Sequence, residues 1–422
     1  MKNLSERDKN HLWHPLTQHR TAAPRLGIVK SRGALLWDEN GNSYIDGIAS
    51  WYTAMYGHCN PEITDAISKQ MSELDFVMFS GFTHEPAVEL SERLIEILPD
   101  NQEKIFFNDN GSTAIEAGIK MALQYHFNKG DKRDTLIAFE DGFHGDTFGA
   151  MSASGLSSYN GPFEDFLLKV ERIPVPQENT IETVLEKLET ILKDNSCAAF
   201  VFEPLVQGAA GMKFHSAKGL DALIKKCQQK GVIAIADEIM TGFGKTGKNF
   251  ASENLRHKPD IICLSKALTA GMFPLSITSC TQNVFDAFLS DEVAKGFFHA
   301  HTFSAHPLGC AAALAGIALL NSKEILERRS YIENAHRRFA FKVKNHQKIK
   351  EIRCMGVILA IDLTVETDRY GTLRDRLYDF FMGNGVNLRP LGNTIYVLPP
   401  YVIANDQLEK IYGTITKSLE IV

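Results

Sequence analysis

The chain has 422 residues and 47.0 kDa, room for two or three domains of ordinary size. Apolar content of 44%, charged content of 23% and a net charge of -6 describe an ordinary globular composition without the basic face that nucleic acid binding needs. No apolar stretch reaches membrane-spanning length, MKNLSERDKN lacks a signal-peptide core, and the seven cysteines form no CxxC pair, so a reduced cytoplasmic enzyme is expected.

Along the chain, LLWDENGNSYI (35–45) reads as a hairpin with its turn at Asn40-Gly41. Short apolar runs then alternate with helical patterns: KIFFN (104–108), TLIAF (135–139), AAFVF (198–202), VIAIA (232–236), IICL (261–264) and LSITS (275–279). Such runs predict strands buried on both faces of a mostly parallel sheet. Ser112 to Phe127 carries Ile115, Ile119, Ala122 and Leu123 on one face, as an amphipathic helix does. From about residue 310 the pattern changes to helix, mixed strands (349–363 and 386–400) and helix. The expected architecture is α/β, with a large domain over 55–308. A smaller α+β domain would combine the N-terminal segment 1–54 with 309–422.

In an open parallel sheet the ligand lies beyond the carboxyl ends of the strands. After KIFFN comes Asn110-Gly111-Ser112-Thr113, where a helix begins; Thr113-x-x-Glu116 has capping-box spacing, and the free N–H groups there can cradle a phosphate. After TLIAF comes an aromatic between glycines, Gly142-Phe143-His144-Gly145, able to stack on a planar ring. VIAIA ends in Asp237, and IICL is followed by Ser265-Lys266. A lysine behind a buried strand is partly desolvated and becomes a carbonyl-trapping nucleophile. Each feature alone has an ordinary explanation. Together they fit pyridoxal 5′-phosphate, whose aldehyde needs a lysine and whose ring nitrogen needs a carboxylate.

A competing reading starts from Gly242 to Lys248, which has the GxxxxGK spacing of a P-loop. The next residue is Asn249, which cannot offer the Mg²⁺-binding hydroxyl. His299, His301 and His306 suggest a metal, but they lack the carboxylate or thiol partners of usual zinc spacings, so no metal site is expected.

The whole chain resembles the class III (ω-amino acid type) aminotransferases of PLP fold type I. The resemblance rests on GxLLWDxxGxxYID (33–46), NGST (110–113), DGFHG, FEPLVQGAAGM, IADEIMTGFGKTG and LSKALTAG. Further segments, HLWHPLTQ (11–18), SWY (50–52), GFTHEPAVEL (81–90), GFHGDTFGAMS (142–152) and NLRPLGNTIYVLPPY (387–401), resemble the branch that aminates 8-amino-7-oxononanoate in biotin formation. Relatives acting on ornithine or γ-aminobutyrate carry a glutamate where this chain has Ala209-Ala210. The resemblance implies that Lys266 holds the cofactor and shuttles the proton, and that Asp237 pairs with the pyridine nitrogen. It further implies that Gly111 and Ser112 bind the phosphate with His301 and Thr302, the last from a second subunit of a homodimer. Phe143 is implied to stack on the ring, Trp51, Tyr52 and Ala300 to line the substrate pocket, and Arg389 to bind the substrate carboxylate. The implied donor is S-adenosylmethionine. Leu16 and Phe143 replace tyrosines common in the family, and Lys245 replaces an arginine, so lysine is kept as the alternative donor and an ω-amino acid or diamine:pyruvate aminotransferase as the alternative enzyme.

Overall fold

After a short helix, Leu4–His11, come three short strands: β1 (Ile28–Arg32), β2 (Leu35–Asp38) and β3 (Ser43–Asp46). In the computed structural model, which describes residues 3–157 and 160–422, these are followed by β4 (Lys104–Asn108), β5 (Thr135–Phe139), β6 (Val170–Ile173) and β7 (Cys197–Phe202). Next come β8 (Val206–Gln207), β9 (Lys213–Phe214), β10 (Ile233–Asp237), β11 (Ile261–Leu264) and β12 (Ser276–Cys280). The C-terminal strands are β13 (Ile349–Met355), β14 (Ile358–Leu363), β15 (Val386–Asn387) and β16 (Thr394–Val397).

The central sheet has seven strands in the order β4-β12-β11-β10-β7-β5-β6. β10 is parallel to β11 and β7, and β5 is parallel to β7 and β6. Every residue of β5, β7, β10 and β11 is buried, which is why these segments are apolar nearly throughout rather than alternating, with only Thr135 and Asp237 polar, each at a strand end. One face is covered by the helix Gly111–Asn128, whose Ile115, Ile119 and Ala122 pack with Ile233, Ile235 and Ile261. The other face receives Val184, Leu188 and Ile191 from Ile181–Asp194 and Leu220, Leu223 and Ile224 from Ala217–Gln229.

Several local expectations need correction. β12 runs antiparallel to both β11 and β4, because the chain reverses after Lys266 through Ala270 (φ 54°) and Gly271 (φ 79°). In the β2–β3 hairpin only Gly41 takes a positive φ, 86°; the Asp38 carboxylate closes the turn by accepting from the N–H groups of Asn40 (3.0 Å) and Asn42 (2.8 Å). The stretch 349–363 is a hairpin bent at Gly356, with β13 and β14 antiparallel. The stretch 386–400 is divided between two sheets: β15 pairs in parallel with β3, while β16 pairs with β14. The N-terminal hairpin and β15 thus form one sheet, β1-β2-β3-β15, and β13-β14-β16 another.

Among the described residues no single helix is long and apolar enough to cross a membrane, and no group of three or more His, Cys, Asp or Glu residues could hold a metal ion.

Candidate active site

The carboxyl ends of β5, β7, β10 and β11 converge on one cluster of polar side chains. Asp237, the last residue of β10, is almost fully buried. One of its oxygens accepts from Ile239 N–H at 3.1 Å and the other lies 2.7 Å from His144 Nδ1. A carboxylate in that position is costly unless paired, and the imidazole is the partner. Burial opposes the charged form of His144, but the Asp237 carboxylate outweighs it and raises the imidazole above its ordinary value.

Lys266 follows β11 and Ser265, with φ 48° at the start of a tight turn. Burial lowers its amine from the usual 10.5, while the charges of Asp237 and Glu203 hold it up. Its Nζ stands 5.4 Å from the centroid of the Tyr52 ring. An amine so placed is easier to deprotonate than a surface lysine, which is what carbonyl attack requires.

The helix after β4 begins at Gly111, and its cap differs from the expected one. Asn110 and Thr113 form the reciprocal pair: Asn110 Oδ1 accepts from Thr113 N–H at 3.1 Å, and Thr113 Oγ1 accepts from Asn110 N–H at 3.0 Å. Glu116 is turned away from that end and accepts from the N–H groups of Gly149 (2.6 Å) and Ala150 (3.1 Å). Ser112 Oγ accepts from Asp146 N–H at 3.3 Å, which leaves its own proton to donate. A Cβ on Gly145 would come within 2.1 Å of Ser112 Oγ, so the loop approaches the helix start as only glycine permits.

Glu203 directly follows β7 and was missed by the sequence reading, although the strand-end rule would have found it. Its oxygens accept from Phe143 N–H (3.1 Å) and Gly208 N–H (2.9 Å). Burial pushes this carboxyl up to about 7, against the pull of His144. It therefore ties the aromatic of the β5 loop to the loop after β8. His144 was quoted only as part of a motif; its pairing with Asp237 had no separate sequence signal.

Residues 49–52 face this cluster from the end of β3. Ala49, Ser50, Trp51 and Tyr52 have φ of 47°, 44°, 66° and 71°. This is a left-handed turn without glycine, a conformation costing roughly 1–2 kcal/mol per residue. Tyr52 packs against Tyr396 with ring centroids 5.8 Å apart, and the Arg389 guanidinium lies 5.7 Å from the Trp51 ring centroid.

Residues 299–302 lie along the helix Gly111–Asn128. Lys120 Nζ is 2.8 Å from His299 Nδ1, His299 Nε2 is 3.1 Å from His301 Nε2, and His301 Nδ1 is 3.5 Å from Asp109. Ala300 and Thr302 are exposed on this loop.

The segment 242–250 is not a phosphate cradle. It winds through turns into a short Ala251–Asn254 turn of 3-10 helix, and Lys245 is fully buried with Nζ donating to Gly242 O at 2.9 Å. Burial, and then the nearby Lys266, push the Lys245 amine well below its ordinary range.

The residues present fit a phosphate-bearing pyridine aldehyde: an amine of lowered pKa, a buried carboxylate backed by an imidazole, an aromatic ring, and a glycine-lined helix start. The family model for class III aminotransferases matches residues 17–419. A relative from Synechococcus elongatus described as adenosylmethionine-8-amino-7-oxononanoate aminotransferase is 41% identical, over 97% of this chain and 98% of its own. A protein of the same description from Helicobacter pylori is 32% identical over 99% of this chain and 98% of its own. Among solved structures, the enzyme of that description from Methanocaldococcus jannaschii superposes with a TM-score of 0.92 at 30% identity, covering 99% of both chains. An amine transaminase from an uncultivated Pseudomonas species, solved in a PLP-bound form, gives 0.91 at 27%, covering 97% of this chain and 98% of its own. With a site of this make-up and a family match over nearly its whole length, the chain belongs to the class III aminotransferases, on the fold type I scaffold.

Proposed function

We propose that this chain transfers an amino group from S-adenosylmethionine to 8-amino-7-oxononanoate, giving 7,8-diaminononanoate for biotin synthesis. The observation that carries the reading is end-to-end similarity to relatives described by that reaction, in several organisms. Pyridoxal 5′-phosphate is the cofactor; when bound it supplies an electron sink and carries the amino group between the two half-reactions.

In this reading Lys266 holds the cofactor, and its Nζ takes and returns the proton of the substrate carbon that bears nitrogen. Support comes from the basicity that burial lowers, even against the charges of Asp237 and Glu203. Asp237 keeps the ring nitrogen protonated, and His144 Nδ1–H stabilises the carboxylate from its other side. The N–H of Gly111 and the O–H of Ser112 take the phosphate, joined by Thr302 of a second copy of the chain in a homodimer. His301 and Ala300 flank the phosphate and the substrate. Phe143 stacks on the ring, its backbone anchored to Glu203. Trp51 and Tyr52 form an apolar wall that excludes water and suits the adenosyl group. Arg389 binds the acid end of the oxononanoate through a charge-assisted pair.

Single half-reactions test the assignment. Adenosylmethionine added to the cofactor-loaded protein should bleach its visible band, and 8-amino-7-oxononanoate should restore it. Bleaching by lysine alone would transfer the reading to the lysine-dependent reaction. Discharge by pyruvate but not by the oxononanoate would replace it with an ω-amino acid aminotransferase.

A further inference from the structure

The motif GxLLWDxxGxxYID ends at Asp46, a residue with no part in the chemistry described so far. Asp46 is the last residue of β3 and is fully buried. Its Oδ2 accepts from Ser50 N–H (2.7 Å) and Ser50 O–H (2.9 Å) and lies 2.8 Å from His58 Nε2. Its Oδ1 accepts from Ile48 N–H (3.3 Å) and from the side-chain amide of Asn387 (3.2 Å).

These donors come from two distant parts of the chain. Ser50 is the second residue of the left-handed turn, and the next two are Trp51 and Tyr52. Non-glycine residues hold such a turn only where the surroundings over-determine it. Here the Ser50 backbone and hydroxyl are both clamped by one carboxylate oxygen, while Tyr52 N–H and Thr53 N–H close the turn on Ile48 O and Ala49 O, each at 2.9 Å. Asn387 belongs to β15, is paired in register with Asp46, and stands two residues before Arg389. One side chain therefore holds the turn that carries Trp51 and the strand that leads to Arg389. Those two side chains meet at 5.7 Å.

We propose that Asp46 is a positioning residue for substrate specificity: by clamping the left-handed turn and Asn387 together, it sets the place of Arg389 against Trp51 at which the acid end of the oxo acid is read. The inference rests on the assignment of the oxo acid above.

The test compares 8-amino-7-oxononanoate with its methyl ester in the second half-reaction. Asp46→Asn keeps the size but turns an amide N–H toward donors that need an acceptor. The half-saturating concentration of the acid should rise about tenfold, while that of the ester and the affinity for the cofactor stay as in the wild type. In an Arg389→Ala background the same change should add nothing, since both act on one contact. Equal loss for acid and ester, or additive losses in the double variant, would overturn the proposal and leave Asp46 a purely structural residue. Should Asp46→Asn not fold, Ser50→Ala and Asn387→Ala each remove one of the bonds. Each should weaken the acid about threefold and spare the ester, and no selective effect in either would equally overturn it. A wild-type protein that does not react with the acid at all would sink the substrate assignment itself.

Discussion

Placing a methyl group on Gly145 strikes the proposed phosphate cradle at its tightest point. Gly145 has φ 136°, and its added Cβ would lie 2.1 Å from Ser112 Oγ, 2.6 Å from Ser112 Cβ and 2.9 Å from Ser112 Cα. The hydroxyl could rotate away, but Cα cannot, because the Asn110–Thr113 pair fixes the start of the helix. Either the 143–147 loop or the helix end must move, on top of a backbone strain of roughly 1–3 kcal/mol. If Ser112 then loses the bond to the phosphate proposed for it, about 1.5–3 kcal/mol of cofactor binding goes with it. That is a loss of about ten- to hundredfold in affinity. The assay is titration of the apo-protein with pyridoxal 5′-phosphate, followed by visible absorbance, with thermal melting in parallel. Gly161→Ala is the control, since nothing lies within 4 Å of the Cβ it would add. A Gly145→Ala protein that binds within about twofold of the wild type, with an unchanged melt, would refute the cradle.

Lys266→Ala should keep its fold and lose borohydride-fixable cofactor; covalent fixation in that variant, read by mass spectrometry, would exclude Lys266 as the attachment point. Arg389→Ala should slow the oxo-acid half-reaction about ten- to hundredfold and leave the donor half-reaction nearly intact, whereas equal losses in stopped-flow traces would remove the carboxylate role. His215 and His336 are buried, and burial lowers each from an ordinary 6.5 to about 4. The unfolded chain therefore takes up protons first, so stability is full above about pH 6.5 and falls as pH drops toward 4. At about pH 5 each histidine costs about 2 kcal/mol. Urea midpoints should fall accordingly between neutral and mildly acid buffer, and His336→Gln should flatten that slope; an unchanged slope would refute its share.

Strands buried on both faces were legible because they must be apolar nearly throughout: β7 and β11 are apolar at every position, and β5 and β10 depart from this only at an end, Thr135 and Asp237. Strand ends were legible for a related reason: Asp237 and Lys266 are charged residues abutting apolar runs, a contrast that needs an explanation in any fold. Taken with the helix start at Gly111 and the aromatic between glycines, those contrasts indicate the class of site, since few cofactors ask for both a lysine and a carboxylate at strand ends.

What the side chains do with one another was decided by tertiary structure. Glu116 stands at capping-box spacing from Thr113, yet it bonds Gly149 and Ala150, because a helix neighbouring in space offers free N–H groups closer to hand. The segment 386–400 reads as one strand pattern but serves two sheets, a division that depends on the partners available, β3 from one end of the chain and β14 from the other. No local signal marks Ala49–Tyr52 as left-handed, since it contains no glycine; the donors that gather on Asp46 come from residues as far apart as 48 and 387. Local sequence determines what lies next to what along the chain and how much of it must be hidden from water. The hand of that turn, and so the direction in which Trp51 and Tyr52 face, is held by a buried carboxylate that joins the nearby Ser50 to Asn387, a donor that arrives only when the two ends of the chain are folded together.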